Sequence, residues 1–381
     1  KNKTALSLSP LALLTLAACG GTSGSSTSST KGAVQNGPLE GAFAFLDLHI
    51  GATFAGDGAY DAATEQGMAT QGSTGALGVA GGYSLTEPTS GTYTLTATTN
   101  AATVDTDTGT AYGAGITLKA PEGASVITPQ TTLVEAIVAA TGVAVTSASI
   151  EAASTKVATA MGITLPAGQT LATFDYTASD VTAATKLAMQ KANNNVMTVV
   201  KAMASAAEGA GVSAAEANKL AFAGMYEYVD DNSTAAIDFT LTATMNAVRA
   251  DVQTEFNTYA ATTAGAALNG GAGLDTAEFV TIATAAQVEV QEVATAIASL
   301  VVGDSAADRA ATFKVISALA ETVETYSKNV TDGVVGTVLA FNTTAQVANT
   351  APTDITLAGS TTTDTTYSAT SAESVAFLET A

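Results

Sequence analysis

The period of the hydrophobic pattern changes once along the chain, near Thr128, and this change limits the folds that the chain can adopt. Before it, short runs alternate apolar and polar residues between turn residues, which predicts an all-β unit over residues 32–125. After it, apolar residues recur every three or four positions, which predicts α-helices over residues 126–345. We therefore predict an α+β multidomain chain, with a small N-terminal β-sandwich followed by an all-α helical bundle.

The composition excludes several classes of function. The chain has 13 Lys+Arg against 34 Asp+Glu and a formal charge of −21, which argues against binding to a nucleic-acid backbone. A single Cys excludes a disulfide framework, and one His leaves a zinc site short of its usual ligands. A Ser-His-Asp triad would have to use His49. The 47% of hydrophobic residues is ample for a core, so disorder throughout is not expected.

The amino terminus has the pattern of an export signal. Lys1 and Lys3 precede an apolar stretch at residues 11–18, which is shorter than the roughly 20 residues of a membrane-spanning helix and fits a secretory signal. Residues 19–31 are rich in Gly, Ser and Thr, a composition typical of a flexible tether. We interpret residues 1–18 as a signal peptide and residues 19–31 as that tether.

The end of the apolar stretch carries the first resemblance. Leu16-Ala17-Ala18-Cys19 resembles the lipobox of bacterial lipoproteins. The resemblance implies cleavage just before Cys19, acylation of its thiol, and a mature chain held in a membrane by lipid. The absence of Asp after Cys19 resembles lipoproteins sorted to an outer membrane. The alternative is that Cys19 is an incidental residue of an ordinary signal peptide.

The β unit resembles the carboxypeptidase-regulatory-like and Cna-B-like β-sandwiches of bacterial surface proteins. The resemblance is carried by Gly37-Pro38-Leu39, by Phe43 and Phe45, and by the pair Gly82-Tyr83-x-Leu85 and Gly91-x-Tyr93-x-Leu95. It implies an Ig-like or prealbumin-like sandwich. In that family the module is usually a stalk, a spacer or a weak binder, and not an enzyme.

An acidic segment of the β unit is a candidate calcium site. Asp47 ends a Phe-Leu-Asp sequence, and Asp57, Asp61 and Glu65 follow in and after a Gly-containing loop. Ca²⁺ takes six to eight oxygen ligands, which such carboxylates can supply in part. The full EF-hand string is absent. The alternative is an exposed acidic turn held by hydrogen bonds from its own backbone. We interpret His49 as a loop residue.

Capping signals place the predicted helices. Thr128-Pro129 predicts an N-cap followed by Pro at the first helical position. Ser213 with Glu216 and Asp275 with Glu278 have capping-box spacing, and a further helix is predicted over residues 306–328. The three Asn residues at 193–195 predict a polar contact layer inside a long helix. Residues 126–134 resemble the start of a helical module that follows such sandwiches in large bacterial surface proteins.

The carboxy-terminal residues 346–381 carry a third resemblance. Residues 349–357 (NTAPTDITL) resemble the opening of cadherin-like repeats in bacterial adhesins, and Ile355 and Leu357 alternate as in a strand. A full sandwich repeat needs about 100 residues. We therefore expect either a longer modular chain that is cut short here or an unpaired tail. The fold prediction includes disordered N- and C-terminal tails.

These features favour a non-enzymatic function. We expect a lipid-anchored protein of the outer membrane or cell surface, with an adhesive or structural role and partners among other surface proteins or polysaccharides. One alternative is a lipoprotein that binds a sugar or small solute, with Tyr60, Tyr83, Tyr93 and Tyr112 as stacking platforms in place of Trp. A second alternative is a glycosidase that uses two carboxylates about 5–10 Å apart.

Overall fold

The computed structural model combines an N-terminal sheet region with a helical region, so the α+β prediction is confirmed. It describes residues 28–49, 56, 58–106, 109–142 and 145–301, together with the backbone of three later strands. The predicted signal peptide, Cys19, Asp57 and the predicted helix at 306–328 lie outside the described residues. None of the described helices is long and apolar enough to cross a membrane.

The described part of the sheet region contains ten strands, of which β3 and β6 are buried on both faces. They are β1 (Ser29–Val34), β2 (Leu39–Glu40), β3 (Phe43–Leu48), β4 (Gly67–Ala69), β5 (Gly82–Thr86), β6 (Tyr93–Thr98), β7 (Val104–Asp105), β8 (Thr110–Ala111), β9 (Thr117–Ala120) and β10 (Val126–Ile127). Tyr83 and Tyr93 lie on β5 and β6, as the alternating pattern predicts, and Leu118 lies on β9.

These strands form three small sheets. Their orders are β10-β1-β5, β2-β7-β8 and β4-β3-β6-β9. Strand β1 pairs antiparallel with β5 and parallel with β10, where Ala33 lies opposite Val126. In the four-stranded sheet, Leu46 of β3 lies opposite Leu95 of β6, and both side chains are buried. The centres of β3 and β6 are buried on both faces, so this pair of strands lies within the core.

Seven α-helices follow the sheets within the described residues. They are α1 (Pro129–Ala140), α2 (Ser147–Ala160), α3 (Ala183–Gly209), α4 (Ala214–Asp231), α5 (Thr242–Ala260), α6 (Thr263–Ala266) and α7 (Thr276–Ser299). Helix α3 packs against α4 and α7, and α1 joins the helices to the sheet by packing on β9. One apolar core runs from the sheet region into the helices, so the two regions share their interior.

The predicted helix caps are confirmed in two places and wrong in one. Thr128 caps α1 in a reciprocal pair with Thr131, and Asp275 accepts the backbone N–H groups of Ala277 and Glu278 at the start of α7. Ser213 precedes α4, but its side chain makes no capping bond. The predicted partner Glu216 instead pairs with Lys219, at 3.5 Å between Oε1 and Nζ.

The expectation of a disordered carboxy-terminal tail is wrong for two segments. Strands β11 (Val338–Phe341), β12 (Ile355–Ser360) and β13 (Thr366–Ala369) form an antiparallel sheet in that order. The strand predicted from Ile355 and Leu357 is therefore present as β12. Thr and Ile are β-branched and favour an extended backbone, and β12 gains pairing on both edges.

Candidate functional site

The predicted calcium ligand Asp47 lies inside the sheet region. Its side chain on β3 is fully buried, and its Oδ2 lies 3.6 Å from the Nζ of Lys119 on β9. The same oxygen accepts the backbone N–H of Gly58 at 2.9 Å. Asp47 therefore forms an ion pair across the sheet and holds the loop that follows β3.

The carboxylates of Asp61 and Glu65 also accept protein donors. Asp61 accepts the backbone N–H of Ala63 and the hydroxyl of Thr64, at 2.9 and 3.0 Å. Glu65 accepts the backbone N–H of Leu48 through Oε1 and that of Asp61 through Oε2, at 2.9 and 2.8 Å. Glu65 thus fastens the acidic turn to the end of β3.

These contacts do not bring the described carboxylates together around a cation. Among the described residues, no group of three or more His, Cys, Asp and Glu side chains could hold a metal ion. Asp57 is outside the described residues, so the site of Asp47, Asp57, Asp61 and Glu65 stays a prediction. If these residues bind Ca²⁺, adding a chelator should lower the melting temperature of the chain. An unchanged melting temperature would contradict the prediction.

A buried carboxyl group that the sequence pattern did not single out lies beside Asp47. Glu135 on α1 accepts the hydroxyl of Thr94 on β6 through Oε1 at 2.8 Å. Its Oε2 is buried and has no hydrogen-bond partner among the described residues. The pKa of Glu135 is raised to about 7, chiefly by burial and to a smaller extent by the nearby Asp47, against the lowering effects of the Thr94 hydrogen bond and of Lys119. We call Asp47, Thr94, Lys119 and Glu135 the carboxylate cluster.

His49 borders the carboxylate cluster. Its Nε2 lies 2.8 Å from the hydroxyl oxygen of Thr94, and its Nδ1 lies 2.9 Å from that of Thr92. Burial lowers the pKa of His49, and the positive charge of Lys119 lowers it further. Both ring nitrogens of His49 are thus within hydrogen-bond distance of threonine hydroxyls. The two carboxyl groups of the cluster are not presented to solvent, since Asp47 is 0% and Glu135 4% exposed.

A second polar cluster joins the sheet region to the helices, around the turn between β1 and β2. Asn36 donates to the hydroxyl of Tyr112 at 2.7 Å, and the backbone N–H of Gly37 donates to the hydroxyl of Tyr176 at 3.3 Å. Gln35 donates to Asp175 at 2.7 Å. We call these residues, with Gln190 and Lys201, the polar seam.

The far side of the polar seam is helix α3. The hydroxyl of Tyr176 donates to Oε1 of Gln190 at 3.3 Å, and Lys201 donates to the backbone oxygen of Tyr112 at 3.3 Å. The Nζ of Lys201 also lies 4.8 Å from the centre of the Tyr112 ring, within the range of a cation–π contact. The seam therefore fixes the sheet region against α3.

The Asn residues at 193–195, predicted to form a polar contact layer, lie on α3 close to Gln190. Asn193 and Asn194 are buried, and Asn194 donates to the backbone oxygen of Gln190 at 3.0 Å. Gln190 and Lys201 are 11 residues apart, which is about three helical turns, so they lie on the same face of α3. This spacing is the only signal in the sequence that connects them.

The tyrosines predicted as stacking platforms mostly lie in the interior. Tyr83, Tyr93 and Tyr112 are buried, so their rings are covered by the protein itself. Tyr60 is 40% exposed and packs edge-on against Phe43 and Phe45, with ring centres 4.8 and 5.6 Å apart. One of the four predicted rings thus keeps a surface open to solvent.

Comparison with known proteins gives no relative for this arrangement. The chain matches no protein-family model, no curated protein and no solved structure.

Proposed function

We propose that this chain is a non-enzymatic, lipid-anchored protein of the bacterial cell envelope, with an adhesive or structural role at the outer membrane or cell surface. The observation that carries the proposal is Cys19, the single cysteine of the chain, directly after an apolar export signal that ends in Leu-Ala-Ala. Several acyl chains on this thiol, at about 0.8 kcal/mol per buried CH₂, give a long-lived membrane anchor.

The position of the first strand supports this proposal. Strand β1 begins at Ser29, ten positions after Cys19, and the segment between them is rich in Gly, Ser and Thr. A linker of this kind lets a folded domain stand off the bilayer. We further propose that the sheet region is an Ig-like or prealbumin-like sandwich, that the helices form a bundle, and that the carboxy-terminal strands belong to a cadherin-like repeat.

The carboxylate cluster and the buried tyrosines do not supply the open sites that the two alternatives require. The carboxyl groups of Asp47 and Glu135 are buried, whereas a glycosidase has to present two carboxyl groups to its substrate. A sugar-binding lipoprotein needs open aromatic rings, and three of the four candidate tyrosines are buried. Other surface proteins or polysaccharides are the partners that we propose.

Metabolic labelling tests the proposal. In bacteria grown with radiolabelled palmitate, we expect the wild-type chain to carry label and to fractionate with membranes. The Cys19→Ser variant should lose both properties, and a variant with the cysteine displaced, Cys19→Ser with Ser23→Cys, should also stay unlabelled. Absence of label in the wild type, or equal label in Cys19→Ser, would contradict the anchor.

A further inference from the structure

Strand β1 is the central strand of its sheet and the first described element of the chain. On one edge, Ala33 N–H donates to the carbonyl of Ser125 at 3.1 Å and Gln35 N–H to that of Ile127 at 2.8 Å. On the other edge, residues 29–33 pair with residues 82–86 of β5. Pulling β1 out of the sheet therefore breaks hydrogen bonds on both of its edges.

The strand directions determine how tension reaches these bonds. Because β1 and β10 are parallel neighbours, the amino end of β1 and the carboxyl end of β10 lie at opposite ends of the sheet. The chain enters the sheet region at Ser28 and leaves it after Ile127. Tension between these two points acts along the strands, whereas the hydrogen bonds lie across them. The bonds are then strained together and not one after another.

The inner end of β1 is also held by side chains. Gln35 is bonded to Asp175, and the two following residues are bonded to Tyr112 and Tyr176 in the polar seam. At Gly32 the carbonyl of Ser125 lies so close that a side chain would collide with it. Sliding β1 along its axis therefore has to break the buried contacts of the seam at the same time.

We propose that β1, clamped between β5 and β10 and fixed by the polar seam, is a mechanical clamp that keeps the sheet region folded under tension along the chain. Its use in the cell rests on the proposed anchor at Cys19, because tension arises when one end is held in a membrane and an outer region is bound. The mechanical property itself depends only on the fold. Resistance to forced unfolding follows the rate of unfolding and not the equilibrium stability.

Single-molecule pulling in two directions tests the clamp. All chains carry Cys19→Ser, and Ser28→Cys provides one handle just before β1. The second handle is placed either after Ala381 or at exposed Thr89→Cys, just after β5. In the first geometry the force runs along β1 and out of β10. In the second it separates the adjacent ends of β1 and β5, where Ser29 lies opposite Thr86, so their bonds break in sequence.

At equal loading rates, we expect the force that unfolds the sheet region in the first geometry to be roughly twice, or more than twice, the force in the second geometry. The event is recognised by the length released between the two handles, about 3.3–3.6 Å per residue, which includes residues 28–127 in the first geometry and residues 28–89 in the second. Equal or lower force in the first geometry would overturn the proposal. The pulling measurement does not depend on acylation of Cys19, and palmitate labelling does not depend on mechanical resistance. Each experiment can therefore contradict one proposal without contradicting the other.

A pair of proline variants on β1 examines the bonds to β10 directly. Ala33→Pro removes the N–H that donates to Ser125, whereas Lys31→Pro alters the same strand beyond the residues that pair with β10. In the first geometry we expect Ala33→Pro to lower the unfolding force more than Lys31→Pro. Equal losses would contradict a role for the β1–β10 bonds, and if Ala33→Pro does not fold, the two pulling directions still decide the proposal.

Discussion

The carboxyl group of Glu135 joins helix α1 to the sheet through a hydrogen bond from Thr94. One of its oxygens is buried without a partner among the described residues, and a second buried carboxylate, Asp47, lies nearby with Lys119 as its counter-charge. Charging Glu135 in this environment is unfavourable because burial removes its hydration. The cluster therefore makes the α1–sheet contact sensitive to pH.

We predict that Glu135→Gln makes stability less dependent on pH. The folded-state pKa of Glu135 is raised from 4.5 to about 7, so its stabilising contribution is complete below pH 4.5 and is lost as the pH rises through 7. Gln stays neutral and keeps an oxygen for Thr94. The free energy of unfolding of the variant should match that of the wild type at acid pH and exceed it by roughly 2–3 kcal/mol at pH 8.

Urea unfolding from pH 4 to 8 measures this difference. The groups facing Glu135 are Asp47 on β3 and Lys119 on β9, and both are present in the variant and the wild type. Glu151→Gln, at an exposed position on α2, is the matched control and should follow the wild type. A constant offset between Glu135→Gln and the wild type across this range would contradict the account.

The burial of Glu135 could not be predicted from the sequence because the residues around it have the pattern of an ordinary helix. Its burial comes from the packing of α1 on a sheet whose strands are distant in the chain. The acidic segment was visible in the sequence, but the partners of its carboxylates were not. Glu65 is bonded to the end of β3, and Asp47 is paired with Lys119, which lies 72 positions further along the chain.

At the scale of elements, helices α4 and α5 approach closely at a glycine. Gly224 on α4 is buried, and a Cβ at that position would collide with the backbone N and Cα of Val252 on α5. Backbone atoms cannot rotate away as a flexible side chain can. The missing side chain therefore permits the two helix axes to approach.

We predict that Gly224→Ala destabilises the chain even though alanine is the better helix former. Overpacking of this kind typically costs about 1–3 kcal/mol, which exceeds the helix-propensity gain of roughly 1 kcal/mol. The measurement is the midpoint of urea unfolding. Ala215→Ser, at an exposed position of the same helix, should change the midpoint little. A midpoint for Gly224→Ala equal to or above that of the wild type would show that α4 and α5 do not approach as described.

Elements set by local signals could be predicted from the sequence. Helix α1 begins where Thr128 and Pro129 indicate, and β5 and β6 follow the alternation around Tyr83 and Tyr93. Elements that depend on a partner were predicted less well. The side chain of Ser213 makes no capping bond to α4, and β13 pairs with β12 in the carboxy-terminal tail that was expected to be disordered.

At the scale of the whole molecule, the polar seam and the shared core join the sheet region to the helices. The turn between β1 and β2 contacts Asp175 and Tyr176, which lie far along the chain in the segment before α3. A force or a bound partner acting on the helices is therefore transmitted to β1. Periodicity predicted the two regions, but their docking depends on polar contacts between distant residues, which a hydrophobic pattern does not encode.

The central claim is that a lipid on Cys19 holds this assembly at a membrane. The most direct measurement is the mass of the amino-terminal tryptic peptide of the protein extracted from membranes by detergent. We expect a peptide that begins at Cys19, ends at Lys31 and carries the added mass of two or three acyl chains. An unmodified peptide at this position, or a chain that begins at any other residue, would contradict the account.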